Sequence, residues 1–191
     1  AGIPKVKPKD RDKMEIYQLF LQHIAYSLKE KGKAAIVVPT GFITALSGID
    51  KKIREYIVKN KLLAGVISMP SNIFATTSTS VSILFLEKNN IEEAVLIDAS
   101  QLGSKIKDGK NQKTILSDVE EIKIIDVFNQ KLVIDNFSVV VNLDEISSKN
   151  FSFSAGQYTK VKIKTESITE QTLDEMINVY DSILSELFSR P

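Results

Sequence analysis

The sequence contains no cysteine, which excludes a disulfide framework, thiolate catalysis and cysteine-ligated zinc or iron–sulfur sites. His23 is the only histidine, so neither a histidine metal cluster nor serine–histidine catalysis is expected. We interpret His23 as a surface or packing residue of a helix. The sequence also lacks a G-x-G-x-x-G turn and a Walker loop. No metal site is expected.

Net charge and long apolar runs are also lacking. The 191 residues carry 25 Lys and Arg against 24 Asp and Glu, so any nucleic-acid contact has to come from local patches. No apolar run approaches the roughly 20 residues that cross a bilayer. We therefore expect a soluble, cytoplasmic protein. The sequence starts at Ala1 instead of a methionine, which we interpret as a sign of a trimmed or processed chain.

What is present is an alternation of helix and strand patterns. A first helix is predicted, with Asp10 or Asp12 as its N-cap and Gly32 ending it in the left-handed conformation. Apolar residues three and four apart form its buried stripe: Tyr17, Phe20, Leu21, Ile24 and Leu28.

The next segment has the pattern of a strand, a helix and a strand. Ala34–Val38 and Leu62–Ser68 are apolar runs typical of strands covered on both faces by helices. Between them lies a helix that Asn60 can cap, with apolar residues Ile49, Ile53, Tyr56 and Ile57. Such a unit joins parallel strands by a right-handed crossover, so the fold class is α/β.

The following region predicts strands at the sheet edge and one more helix. Val81–Leu86 and Ala94–Ile97 flank Asn89 and Asn90, which favours an antiparallel edge hairpin. Residues 101–113 are rich in Gly, Lys and Asn and are expected to form an exposed loop. Ser117 and Glu120 form a capping box for a helix to about Asn129, and Ser138–Val141 is a final strand.

The C-terminal segment has the spacing of a coiled-coil seam, with Thr172 and Glu175 in capping-box spacing at its start. The seam residues are Leu173, Ile177, Tyr180, Leu184 and Leu187. Either this helix binds a partner helix, self-association included, or it packs on its own domain. We favour a partner helix.

Candidate site residues follow the two strands of the crossover unit. In open α/β sheets, ligands bind beyond the carboxyl ends of the parallel strands, so Pro39-Thr40-Gly41 and Ser68–Asn72 are expected beside one another. Phe74 follows among Ser, Asn and Thr residues, a composition suited to stacking on a base and bonding its edge. The alternative is that Phe74 fills the core and the polar residues are loop filler.

Several segments, in order, resemble the methylation subunits of type I restriction-modification systems, which are DNA N6-adenine methyltransferases. The similarity lies in AAIVVPTGF, IREYIVKNKLLAGVISMPSNIF, SILFLEK, AVLIDAS and LDEISSKNFSFSAGQY. The resemblance implies a partial Rossmann-like sheet of parallel and antiparallel strands flanked by helices. It implies that Phe74 stacks on a flipped adenine, with Asn72, Pro39 and Thr40 shaping the same pocket.

The sequence lacks the motifs on which the chemistry of that family depends. The Asn/Asp-Pro-Pro-Tyr/Phe motif is missing, since no Pro-Pro occurs, and so is the acidic, glycine-containing turn that holds S-adenosylmethionine. In the family both precede the segment that resembles this chain. We therefore expect the C-terminal portion of a larger methyltransferase, with no catalytic or cofactor-binding residue of its own, which alone does not methylate DNA.

The resemblance also implies an organisation and partners. Residues 1–142 correspond to the C-terminal half of the methyltransferase domain, 143–166 to a closing strap or linker, and 167–191 to an interaction helix. The expected partners are DNA, a specificity subunit and a restriction subunit. A type IIG parent is an open alternative, as is a non-catalytic assembly or DNA-binding module. Two lysine groups could contact phosphates or simply be solvated: Lys5, Lys7, Lys9 and Lys13, and Lys160, Lys162 and Lys164.

Overall fold

The computed structural model describes residues 13–74, 79–88, 93–109 and 111–159. The helices are α1 (Ile16–Ser27), α2 (Gly41–Thr44), α3 (Gly48–Lys59), α4 (Asp118–Gln130) and α5 (Leu143–Ser148), followed by a 3-10 turn, Ala155–Gln157. The strands are β1 (Lys33–Pro39), β2 (Leu63–Ser68), β3 (Val81–Glu87), β4 (Glu93–Asp98), β5 (Ser104–Asp108), β6 (Asn111–Ile115) and β7 (Ser138–Asn142).

Five of these strands form one mixed sheet in the order β1-β3-β2-β4-β7. Strand β3 is antiparallel to both β1 and β2, and β2 is parallel to β4. Strands β1, β2 and β4 therefore run in one direction, while β3 and β7 run in the other. The predicted α/β class with a mixed, helix-flanked sheet is confirmed.

The predicted edge hairpin of β3 with β4 is wrong, because β2 lies between these two strands. Strand β3 instead occupies the space between β1 and β2, where Leu84 and Leu86 are fully buried. An apolar strand that hydrogen-bonds on both sides buries more surface in the middle of the sheet than at its edge. Asn89 and Asn90 lie outside the described residues.

Residues 101–113 do not form the predicted loop. Strands β5 and β6 pair antiparallel as a separate two-stranded hairpin, with Ser104 opposite Ile115 and Lys107 opposite Gln112. Apolar and polar residues alternate too weakly in this segment for the sequence to predict strands. The hairpin is exposed for most of its length, as was expected of the loop.

Helix α1 differs from its prediction at both ends. It begins at Ile16 with Glu15 as N-cap, in a capping box with Gln18, so neither Asp10 nor Asp12 caps it. The left-handed residue after it is Lys31, at φ 60°, and not Gly32. A glycine is needed at position 32 for another reason: a Cβ there would lie 2.7 Å from the Lys29 carbonyl oxygen.

Two apolar cores cover the two faces of the sheet. Helices α1 and α3 pack on one face, where Leu21, Ile53 and Ile57 are buried, although Phe20 of the predicted stripe is exposed. Helix α4 packs on the other face over Ile67, Val95 and Ile97.

Strand β1 is covered on one face only, contrary to its prediction. It is an edge strand within the described ranges, and its residues alternate in burial, with Val37 44% exposed. Helix α4 lies over β2 and β4 and does not extend across this edge.

The segment after β7 is part of the body. Leu143, Ile146, Phe153 and Ala155 are buried in the same core as α1 and α3. The Phe153 amide donates to the Ile43 carbonyl at 2.9 Å. Residues 160–191, with the predicted tail helix, lie outside the described residues. None of the described helices has the length and apolarity of a membrane span.

Candidate functional site

The carboxyl ends of β1, β2 and β4 lie at one edge of the sheet because these three strands share a direction. Pro39, Ser68 and Asp98 mark the three ends. This is the edge at which open α/β sheets bind ligands.

The end of β1 is fixed by the start of β3. The Thr40 amide donates to the Ser80 carbonyl at 2.9 Å, and the Thr40 and Ser82 hydroxyls lie 3.2 Å apart. Pro39 pairs with Val81. Both predicted pocket residues at this end of β1 are therefore fixed by contacts with residues 80–82 and remain partly exposed.

The end of β2 leads into the segment Pro70–Phe74, which we call the site loop. Asn72 is left-handed, at φ 56°, and its carbonyl accepts from the Thr114 amide at 2.9 Å. The Ser71 carbonyl accepts from the Thr114 hydroxyl at 2.6 Å. Phe74 is 48% exposed and belongs to neither core. Its ring is thus accessible at the edge of the sheet.

The two groups of predicted site residues share this edge without being neighbours. Strand β3 intervenes, and its first residues bond to both sides, through Thr40 and through the Met69 amide, which donates to Val81 at 3.0 Å. Two strand spacings separate the ends of β1 and β2 by about 10 Å. The expectation of adjacent strand ends is therefore corrected to opposite sides of one opening.

The sequence did not indicate that residues after β4 and residues of the β5–β6 hairpin also contribute to the candidate site. A cavity of about 190 Å³ lies beside the site loop. It is lined by Pro70, Ser71, Ser100, Gln101, Leu102, Gly103, Lys105 and Thr114. Ser71 and Thr114 are 43 positions apart in the chain, and no local sequence signal connects them.

Arg54 supports the turn that follows Pro39 and Thr40. Its guanidinium is fully buried and donates to the carbonyls of Phe42, Ala45 and Phe151. Burial lowers the pKa of Arg54 to about 10, which leaves the group cationic at neutral pH. The rings of Phe42 and Phe153 lie 5.7 and 5.8 Å from the guanidinium carbon, within cation–π range.

Asp50 lies on α3, the helix that carries Arg54, and connects this helix to α1 by hydrogen bonds. Its Oδ1 accepts from the Tyr17 hydroxyl at 2.9 Å and from the Gln18 amide at 2.6 Å. Burial, together with the hydrogen bond to Asp50, raises the pKa of Tyr17 to about 12. Helix α3 thus contacts the turn after β1 through Arg54 and α1 through Asp50.

The described residues at this edge lack the features of a site for an adenosyl cofactor. No glycine-rich turn follows β1, β2 or β4 in the described part of the chain. A Cβ added to Gly41 would meet open space, so no close backbone approach requires a glycine there. The Asp98 carboxylate accepts from the Ser100 amide at 3.0 Å. These residues do not fit an S-adenosylmethionine site.

Comparison with known proteins decides the family. The pattern of the N-6 DNA Methylase family matches residues 4–167, most of the chain. The chain belongs to the N-6 DNA methylase family. The methylase match agrees with the resemblance seen in the sequence.

Several relatives of this chain are type I methylase subunits. The type I restriction enzyme MpnII methylase subunit of Mycoplasma pneumoniae is 31% identical over 83% of this chain and 29% of its own length. The MjaIX methylase subunit of Methanocaldococcus jannaschii is 27% identical over 78% of this chain and 28% of its own length. The chain thus spans less than a third of the length of these relatives.

A solved methylase structure has the same fold. The type I restriction-modification methyltransferase subunit of Streptococcus thermophilus superimposes with a TM-score of 0.71 at 28% identity. The match covers 83% of this chain and 32% of that protein.

Proposed function

We propose that this chain forms the adenine-holding part of a type I restriction-modification subunit that methylates adenine N6 in DNA. The observation that carries the proposal is the exposed Phe74 ring at the carboxyl edge of the sheet. The family membership and the type I relatives support it.

The chemistry of base modification explains why such a ring is needed. An enzyme that acts on a base in a duplex extrudes it, and an aromatic face then replaces the lost stacking at about 1–3 kcal/mol per base. In this proposal Phe74 stacks on the adenine, and the Asn72 amide offers a donor and an acceptor to the base edge. Pro39 and Thr40 bound the opening from the far side of β3.

Methyl transfer in this proposal requires residues outside this chain. S-adenosylmethionine would supply the methyl group, but the described residues do not fit it and the chain has no Pro-Pro sequence. The chain also exposes apolar side chains that a longer protein would cover, including Ile16, Leu19 and Tyr26 of α1 and Val37 of β1. We expect the chain alone to show no methyl transfer to DNA.

The test of the adenine site is Phe74→Ala in the longer parent subunit, assembled with its specificity subunit. Losing the stacking should reduce methylation by roughly tenfold for each 1.4 kcal/mol lost. Phe74→Trp should retain activity, because it keeps an aromatic face. Val119→Ala is the control, because Val119 is exposed at the start of α4, away from the helix that the longer protein is expected to cover. Full activity of Phe74→Ala would contradict the proposed role.

The activity of the isolated chain is tested by transfer of labelled methyl groups to DNA. Labelled product would contradict the proposal that the catalytic groups lie elsewhere. If the parent protein also fails to methylate adenine while binding DNA, the chain is a non-catalytic assembly or DNA-binding module, the alternative function.

The tail helix is proposed to bind a specificity subunit. Ile177→Asp with Leu184→Asp would place two charges in the predicted seam and should abolish co-purification. Ser182→Asp with Ser185→Asp is the matched control, because the heptad spacing puts both positions outside the seam. Equal co-purification of the two double variants would contradict this assignment.

A further inference from the structure

The hairpin of β5 and β6 carries a local positive charge on an otherwise balanced chain. Residues 104–115 contain Lys105, Lys107, Lys110 and Lys113 and a single acidic residue, Asp108. Lys105 and Lys107 are exposed, and neither forms an ion pair within the described residues. Lysines elsewhere on the body do pair with glutamates, for example Lys33 with Glu87 and Lys149 with Glu145. The hairpin thus has positive charge that the described protein does not neutralise.

The two faces of the hairpin differ. Residues directly opposite in an antiparallel pair lie on the same face. Lys105 is opposite Thr114 and Lys107 is opposite Gln112, so these four residues share one face. Ile106 is opposite Lys113, and this pair lies on the other face.

Thr114 shows which face is turned toward the site loop. Its side chain is 3% exposed and donates to the Ser71 carbonyl. Lys105, directly across from Thr114, lines the cavity together with Ser71. The lysine-bearing face is therefore the face on the side of the site loop that leads to Phe74.

The base of the hairpin is fixed in place. The Thr114 amide and hydroxyl bind two consecutive carbonyls of the site loop. Gly103 has φ +84°, and its amide donates to the Glu120 carboxylate at 2.8 Å, which ties the hairpin to α4. A Cβ at position 103 would lie 2.6 Å from the Thr114 methyl carbon, so the two strands start in close contact. The position of the lysines relative to the site loop is thus set by the fold.

We propose that Lys105 and Lys107 bind the phosphate backbone of the DNA strand whose base is held at Phe74. This inference rests on the proposed function. Alternate residues of a strand are about 7 Å apart, and long lysine side chains adjust easily over that distance to neighbouring phosphates. Phosphate contacts of this kind position a duplex without reading its sequence.

The test measures DNA binding by the full chain over a series of salt concentrations, using fluorescence anisotropy of a labelled duplex. Lys105→Gln with Lys107→Gln should weaken binding at low salt by about tenfold or more. The slope of log affinity against log salt should fall by about 2, one for each lost phosphate contact. Both lysines are exposed, and an unchanged thermal unfolding curve confirms the folded state.

Two matched variants separate a local contact from general charge. Lys29→Gln with Lys31→Gln removes the same charge at the opposite edge of the sheet, before β1, and should change affinity by less than about twofold. Lys113→Gln removes a lysine from the other face of the same hairpin and should also have a small effect. An equal loss in both double variants, or no loss in Lys105→Gln with Lys107→Gln, would overturn the proposal.

The proposed DNA contact of the hairpin and the proposed methyltransferase function can be refuted independently. Normal DNA binding by Lys105→Gln with Lys107→Gln, combined with weaker subunit assembly, would mean that the lysines face an acidic protein surface, and would overturn the DNA contact. A changed salt slope in a parent that does not methylate adenine would keep the DNA contact and refute the methyltransferase function.

Discussion

The Arg54 guanidinium donates a hydrogen bond of 2.7 Å from Nε to the carbonyl of Phe151, 97 residues further along the chain. Its other nitrogens donate to carbonyls of the turn after β1. One buried side chain therefore connects α3, the turn that follows Pro39 and Thr40, and the segment that closes the body.

Arg54→Met should destabilise the protein by about 3 kcal/mol or more, because it leaves buried carbonyls without a donor. Urea unfolding measures the loss. Lys52→Met, on the exposed side of the same helix, should change the free energy of unfolding by less than about 0.5 kcal/mol. Similar stabilities of the two variants would show that the Arg54 contacts contribute little.

Gly65→Ala should also be destabilising, since a Cβ there would lie 2.5 Å from the Val95 carbonyl oxygen and 2.6 Å from the Phe128 ring. Forcing extra volume into a packed core costs about 1–3 kcal/mol. Gly156→Ala is the control, because its nearest contact would be Ser154 Oγ at 4.0 Å. Thermal unfolding with equal midpoints for both variants would contradict the close approach of β2 and α4.

Local patterns were sufficient to predict most elements of this fold but not the pairing of its strands. Apolar spacing predicted α3 and its cap Asn60, and the Ser117 and Glu120 capping box is present at the start of α4. Strand β3 could equally have paired with β4, its neighbour in the sequence. The sequence does not distinguish the two pairings, because each of them buries the same apolar strand. The packing of the whole sheet places β3 between β1 and β2.

The candidate site was predictable only where its residues are adjacent in the sequence. The polar composition around Phe74 marked the site loop. The hairpin was missed because Thr114 attaches it to Ser71 by hydrogen bonds between distant residues, without an apolar pattern of its own. The burial of Arg54 was equally unpredictable, because it depends on three carbonyls from two separate segments.

Alkaline pH should destabilise the fold partly through Tyr158. Burial, with a further contribution from Glu145, raises the pKa of Tyr158 to about 12, and its hydroxyl donates to the Ser152 carbonyl at 2.6 Å. The unfolded chain ionises this group near its ordinary pKa of 10.0. The stabilisation is therefore complete below that pH and is lost as pH rises toward the folded pKa.

The measurement for Tyr158 is the free energy of unfolding at several pH values above 9 or so, compared with Tyr158→Phe. The variant should show a smaller fall in stability with pH. Arg54, whose pKa is lowered by burial, contributes a slope of the opposite sign in both proteins. Tyr26→Phe is the control, since Tyr26 is exposed. Identical pH slopes of Tyr158→Phe and wild type would contradict the assignment.

Glu120 links the cap of α4 to the base of the hairpin. Its carboxylate accepts from the Ser117 amide and from the Gly103 amide, both at 2.8 Å, and these bonds lower its pKa. Because the folded pKa is below the ordinary value, the stabilisation is present above that value and is lost as pH falls through the folded pKa. Glu120→Gln should therefore reduce the acid dependence of stability and speed hydrogen exchange at the Gly103 amide. Glu121→Gln removes the same charge from the neighbouring position and should leave that exchange unchanged. If the Gly103 amide exchanges equally in both variants, the carboxylate does not hold the hairpin, and the fixed position of Lys105 would require another cause.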